Sequence, residues 1–554
     1  MNRIQNITKK VLLPIVLLFA INYGASLFVL RLDLTKHQRY TLSEPTKELL
    51  DKVEKPIFID VLLGGNPPAE FKRLQTETKQ LLEEFRNLND KITFNFVDPM
   101  ESGGSKDQIT QSLMELGLTP ASVTIEEGNS VSREMIFPWA MVNSGNKTVK
   151  ASLLKNSLGS STESRINNSV QQLEYTLADA IHQVIVTEKK SIAVIKGHGE
   201  MEDKYMADFL LGLQNYYRLA EFHMDSLKEQ PQTTLNNLNR FHAAIIAKPT
   251  QAFSENEKMI LDQYIMQGGK TLWLLDQVTA DLDSLQNDNF RSLAFPIDLK
   301  LDAMLFKYGV RINKNLVQDL MSTPVTVADD NGEIPINWFY SPMVASLNNH
   351  PINKSLNVVK LEFVNSLDTL SNGIAKTVLL QSSAQSRTVG VPRNYSLDEF
   401  DTQPDLSEFN DGNQILGVLL EGQFNSAFSN RVKPFTPDSI VEKSTIPNKM
   451  IVIGDGDIIN YTYANKKPLV GGIDPWTKQI YGNKNFLLNC VNYLVQDSGL
   501  INIRAKEISI PFLDKQKTYE EKTWWQLINI GLPIVLMLLF GVAFYYIKRK
   551  KHSH

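Results

Sequence analysis

Cysteine is almost absent from this 554-residue chain: Cys490 is the only one. An internal disulfide is excluded, and so is C-x-x-C dithiol chemistry. Histidine is sparse too. The eight are His37, His182, His198, His223, His242, His350, His552 and His554, with no H-x-x-x-H pair before the C-terminal tail. That spacing argues against a zinc centre, and neither a metal nor a cofactor is expected. There is no G-x-S-x-G elbow for a serine nucleophile. There is no short-period repeat and no low-complexity tract. Excess basic charge is missing as well: 57 Lys and Arg face 61 Asp and Glu, a net charge of −4. No basic stripe is available for a nucleic-acid backbone.

Two stretches lack charge altogether. Residues 11–30, VLLPIVLLFAINYGASLFVL, are long enough to cross a hydrocarbon layer of about 30 Å as a helix. A cleaved signal peptide would have a shorter apolar core ending in small residues, whereas this run continues past Gly24, Ala25 and Ser26 to Leu30. Residues 524–547, WWQLINIGLPIVLMLLFGVAFYYI, form the second run. Trp524, Trp525, Tyr545 and Tyr546 stand at its ends, where amphipathic rings favour the headgroup level. Arg3, Lys9 and Lys10 precede the first run, and Lys548, Arg549, Lys550 and Lys551 open the basic tail 548–554. The positive-inside bias then puts both termini in the cytoplasm and everything between the spans outside it. With those seven bases set aside, the intervening segment carries 50 bases against 61 acids, a net charge of −11. That is the charge of an ordinary soluble body, with length for about three domains.

Along that body the pattern is α/β. A helix begins near Ser43, with Pro45 in its first turn. The strand KPIFIDVLLGG, a helix with Phe71, Leu74, Leu81, Leu82 and Phe85 on one face, and the strand ITFNFVDP make a βαβ unit. Several antiparallel strands complete a membrane-proximal, thioredoxin-like α/β domain over 31–160. A long helix follows, with Ile166, Val170, Leu173, Leu177, Ile181 and Val184 at helical spacing. It leads into a Rossmann-like parallel-sheet domain, whose first part is 161–280 and whose closing part is 450–510. Ser254 and Glu257 form a capping box within it, and 281–449 reads as an inserted mixed segment.

Three turns in that second domain carry candidate chemistry. Gly197-His198-Gly199-Glu200 follows an apolar strand, at the end where open α/β sheets bind ligands. His198 and Glu200 could bind a metal or move a proton. Equally, the glycines could serve only the turn, with the acids capping the next helix. Gly454-Asp455-Gly456-Asp457 is a second turn of the same kind. If both strands are central, Gly197, His198, Gly199, Glu200, Asp455 and Asp457 share a crevice; otherwise the second is an ordinary Asp/Gly turn. Gly268-Gly269-Lys270-Thr271 imitates the end of a P-loop, but its order is helix, turn, strand, which faces no helix N-terminus toward a phosphate. Cys490 sits at an apolar helical position and reads as a small buried hydrophobe.

The order of these features resembles one family. RLDLTKHQRYTLSEPTKELL directly after the first apolar run, the IAVIKGHGE strand and turn, and the YGNKNFLLNCVNYL helix before the second run are similar to the gliding-motility type (GldG-type) of ABC-transporter auxiliary proteins, often labelled substrate-binding. The resemblance implies an ABC ATPase subunit and a multi-span permease subunit as partners. It also implies an inner-membrane setting with a periplasmic body, and a link to motility or secretion machinery. It further implies a glutamine-amidotransferase-like second domain. No cysteine stands in the nucleophile elbow of that fold, so the expected role is non-enzymatic, with ATP hydrolysis left to a partner. A periplasmic ligand-binding or hydrolase-like enzyme using the two turns, and an envelope scaffold, are the alternatives.

Overall fold

The computed structural model describes residues 41–505 and 515–551, apart from residues 102, 104 and 288, the short stretches 128–129, 156–157, 226–228, 330–331, 401–404 and 497–498, and much of 461–478. The first apolar run, 11–30, lies outside the described residues. The chain divides into a compact body, Thr41–Lys506, and a second unit that includes the C-terminal helix.

The body begins with a small mixed layer. Its elements are α1 (Glu44–Asp51), β1 (Ile57–Val61), α2 (Ala69–Leu88), β2 (Ile92–Phe96), α3 (Lys106–Glu115), a hairpin of β3 (Ala121–Glu127) and β4 (Ser130–Ile136), then β5 (Trp139–Ser144), β6 (Lys147–Ser152) and α4 (Thr162–Ile185). The four-stranded sheet runs β2-β1-β5-β6, with β1 and β2 parallel and the other pairs antiparallel. Alternation drives it: Ile57, Ile59 and Val61 are buried while Phe58 is exposed. On α2 the buried face is Phe71, Leu74, Thr78, Leu82 and Phe85. Leu81, expected there, is only half-buried, and Thr78 takes the inner position by returning its hydroxyl to the Leu74 carbonyl at 2.7 Å. Ser43 does stand at the N-cap of α1, yet its side chain does not cap the helix. Its N–H and hydroxyl, with the Thr46 hydroxyl, donate to Glu174 of α4 at 2.7, 2.6 and 2.8 Å, tying the start of the body to the long helix.

The main sheet is mixed. Its strands are β7 (Ser191–Lys196), β8 (Arg218–His223), β9 (Ala243–Ala247), β10 (Lys270–Leu274), β11 (Val310–Ile312), β12 (Leu367–Thr369), β13 (Ala375–Gln381), β14 (Ile415–Gly422) and β15 (Asn448–Ile453). They run in the order β11-β12-β14-β15-β10-β9-β7-β8, with β13 on β14. Five strands, β15-β10-β9-β7-β8, are parallel. Helices α5 (Asp203–Gln214) and α9 (Asn483–Val495) pack on one face, and α6 (Pro231–Leu238), α7 (Glu255–Met266) and α8 (Asp302–Tyr308) on the other. Both faces are therefore covered, and the central strands read as unbroken apolar runs such as AAIIA. The stretch 281–449 supplies β11 to β14, all antiparallel to their neighbours. It extends the sheet edgewise as well as forming a lobe around Trp338, Tyr340, Phe363 and Tyr395.

Candidate functional site

The carboxyl edge of the parallel strands holds both candidate turns. The chain passes from β7 outward to β8, then crosses back to β9 on the other flank of β7. The order thus reverses between β7 and β9, the position where open α/β sheets form a ligand crevice. Here the chain itself fills that position. The His198 carbonyl accepts the N–H groups of Thr250 and Gln251, both at 2.9 Å, and the Thr250 hydroxyl donates to the Gly199 carbonyl at 3.1 Å. Gly197 and Gly199 are left-handed, with φ of 119° and 69°. A Cβ at Gly199 would lie 2.2 Å from Thr250 Oγ1. Glycine is required by both the backbone conformation and the close approach.

His198 is 2% exposed. Its ring stacks on Phe253 with centroids 3.7 Å apart. Nδ1 lies 3.2 Å from Glu200, and Nε2 lies 3.2 Å from Glu257, off the line of a well-formed hydrogen bond. The other Glu200 oxygen accepts the His198 backbone N–H at 2.8 Å. Glu257 is the N3 residue of α7 and completes the capping box expected with Ser254. Burial alone would lower the imidazole pKa; the two carboxylates overcome it and hold the ring up at about 9. Burial would raise Glu257, but His198 and the Ser254 donors bring it down to about 2. The arrangement is an imidazolium clamped between two carboxylates, joining the end of β7 to the start of α7.

The second turn sits at the end of β15. Asp455 is fully buried and accepts N–H groups from Asp457, Ile458 and Glu362 at 2.7, 3.1 and 2.8 Å. Gly454 and Gly456 are small for packing reasons: a Cβ would lie 2.3 Å from the Asn365 carbonyl oxygen and 2.6 Å from Lys248 Cγ. Lys248, left-handed at φ 51° just past β9, places Nζ 2.5 and 2.6 Å from the two Asp457 oxygens and 3.6 Å from Asp276. Asp276, just past β10, accepts the Gly456 N–H at 2.5 Å. Burial raises Asp455, reinforced by Asp276 and Asp457. Burial also raises Asp457, to about 7, and Asp276, in both cases against the pull of Lys248. The one ammonium faces Asp457 and Asp276, while Asp455 is held by backbone donors, and burial favours the neutral form of all three carboxyl groups. Among the described residues no group of His, Cys, Asp and Glu is arranged to hold a metal ion.

The six residues singled out in the sequence thus form two clusters. Gly197, His198, Gly199 and Glu200 pair with Glu257; Asp455 and Asp457 pair with Lys248 and Asp276. The segment after β9 touches both, Lys248 on one side, Thr250 and Gln251 on the other. Three of these partners were not singled out. Glu257 was visible only as a helix cap. Lys248 and Asp276 share a signal that could have found them: each is a charged residue directly beyond an apolar strand.

Residues 189–490, more than half of the chain, match the family described as an ABC-type uncharacterized transport system. The chain belongs to that family. The matched region runs from just before β7 into α9 and so contains both clusters of this chain and most of the sheet that carries them. Residues 36–143 match a second family, a domain of unknown function (DUF7088). An uncharacterized protein of Borreliella burgdorferi is 21% identical over 564 residues, with 99% of each chain covered. Among solved structures, the mmIFT52 N-terminal domain is similar at 13% identity, with a TM-score of 0.31, over 56% of this chain and 99% of that one.

Helix α10 (Lys522–Lys551) is long and apolar enough to cross a membrane. Trp524, Trp525, Tyr545 and Tyr546 lie at the ends of its apolar part, and its side chains are exposed. Membership in a transport-system family and this helix together associate the protein with a membrane.

Proposed function

We propose that the protein is a non-enzymatic, two-span auxiliary subunit of an ABC transporter of the gliding-motility type. Both termini lie in the cytoplasm of this arrangement, and the body stands in the periplasm against the inner membrane. The observation that carries the reading is the family match over residues 189–490. Helix α10 and the charge-free run 11–30 support the two anchors, and the basic residues outside each run support the orientation. An ATPase subunit hydrolyses ATP and a multi-span permease carries cargo, while this chain couples an external α/β body to them. The order β2-β1-β5-β6 supports a thioredoxin-like first domain, and the five parallel strands support a Rossmann-like second one. The closed β7–β9 position supports a non-enzymatic role: His198 is buried with both ring nitrogens against carboxylates, and Thr250 and Gln251 are hydrogen-bonded across the turn. Affinity purification of the full chain from membranes in mild detergent tests the reading. An ATPase and a permease should co-purify; the chain recovered alone would count against it.

A further inference from the structure

Helix α3 is a surface helix with a methionine set in its polar outer face. None of its ten residues is buried. Asp107, Thr110, Gln111, Met114 and Glu115, at the i, i+3, i+4, i+7, i+8 spacing of one helical face, line an open groove of about 420 Å³ with Met135 of β4. Met114 is 55% exposed, Met135 47% and the adjoining Leu116 53%. An isolated helix of this length is marginal in water. Ile109 and Leu113, half-buried, form its inner face, and its ends are tied down by Ser105 accepting the Gln108 N–H at 3.2 Å and by Lys150 reaching the Leu116 carbonyl at 2.5 Å.

We infer that this groove docks a segment of a partner protein with apolar side chains in its middle and Lys or Arg at its ends. Two features set that chemistry. The floor is two methionines, flexible and polarizable side chains that adapt to varied apolar partners. The charges are Asp107 and Glu115, eight residues and roughly 12 Å apart along the helix, with no basic side chain among the described residues of the lining. The same carboxylates oppose an anionic lipid surface, which attracts basic segments and repels acidic ones. The groove belongs to the N-terminal layer, outside residues 189–490, so the inference stands whether or not the transporter reading does.

The test uses full-length protein in nanodiscs of zwitterionic lipid. The probe is a short fluorescent peptide with a Leu-Met centre and Lys ends, set against its Glu-ended counterpart. The Lys-ended peptide should bind in preference. Met114→Ser with Met135→Ser should weaken it about tenfold, a loss of ~1.4 kcal/mol, without lowering the melting temperature, because both side chains are exposed. Asp107→Lys with Glu115→Lys should invert the preference toward the Glu-ended peptide. Equal binding of the two peptides, or a preference unmoved by the charge reversal, overturns the inference. So does methionine-dependent self-association in sedimentation, which assigns the groove to a second copy, or methionine-dependent binding to anionic vesicles, which assigns it to lipid.

Discussion

At the residue scale, His198 is buried between two carboxylates, and that constraint has a pH signature. Its folded pKa, about 9, lies above the unfolded value near 6.5. Its stabilising contribution is therefore complete below about pH 6.5 and is lost as the pH rises through 9. Glu257 is displaced the other way, to about 2, so its contribution is present above about pH 4.5 and is lost as the pH falls through 2. Both are in force between those limits. We expect His198→Ala to lower the unfolding free energy by about 1–3 kcal/mol at pH 6, and by much less near pH 10, by thermal melts at each pH. A penalty that grows with pH would contradict the clamp. Gly199→Ala should cost about 1–3 kcal/mol, since it combines a φ of 69° with a 2.2 Å approach to Thr250 Oγ1. An unchanged melting temperature would mean that the Thr250 loop moves freely. The chemistry-bearing residues of both turns were visible in the sequence because glycine and charge stand out after an apolar strand. Their partners were not. Glu257 lies 59 positions from His198, and Lys248 lies 209 from Asp457; the crossover from β8 to β9 brings the first pair together, and the alignment of β15 beside β10 the second.

At the scale of elements, periodicity carried most of the reading. All six apolar positions expected on α4, from Ile166 to Val184, are buried, and Ser254 with Glu257 forms the capping box. The departures have local causes. Ser43 stands at the N-cap as expected, but a buried carboxylate on α4 competes successfully for its hydroxyl. Leu81 yields its place on α2 to Thr78, whose hydroxyl satisfies itself on the helix backbone. Glu174 gathers three donors from the α1 region, so Glu174→Ala should free the start of the body. Hydrogen exchange at Thr46–Leu50 should accelerate while β9 and β10 stay protected; unchanged exchange at α1 would show that other contacts hold it. Helix α10 makes a separate prediction. Met537 lies mid-span and is 76% exposed. Met537→Arg should reduce membrane integration by about 2.5–3.5 kcal/mol, read as the inserted fraction in a translocation assay. Undiminished insertion would argue against α10 as a span.

At the scale of the whole molecule, the alternation of strands and helices revealed an α/β body but not how 281–449 joins it. Short strands broken by Pro, Asn and Ser look like loops one at a time. Their identity depends on β15, more than 25 residues beyond the last of them, offering an edge to β14. Charge-free length and terminal charge, by contrast, are summed properties of sequence, and they set the proposed layout: two anchors and an external body. Compartment reporters fused at Asn2 and at His554 of the full chain test that layout most directly. Both should report the cytoplasm while protease added to the outer face digests the body between them. A reporter at either end active outside the inner membrane would contradict it.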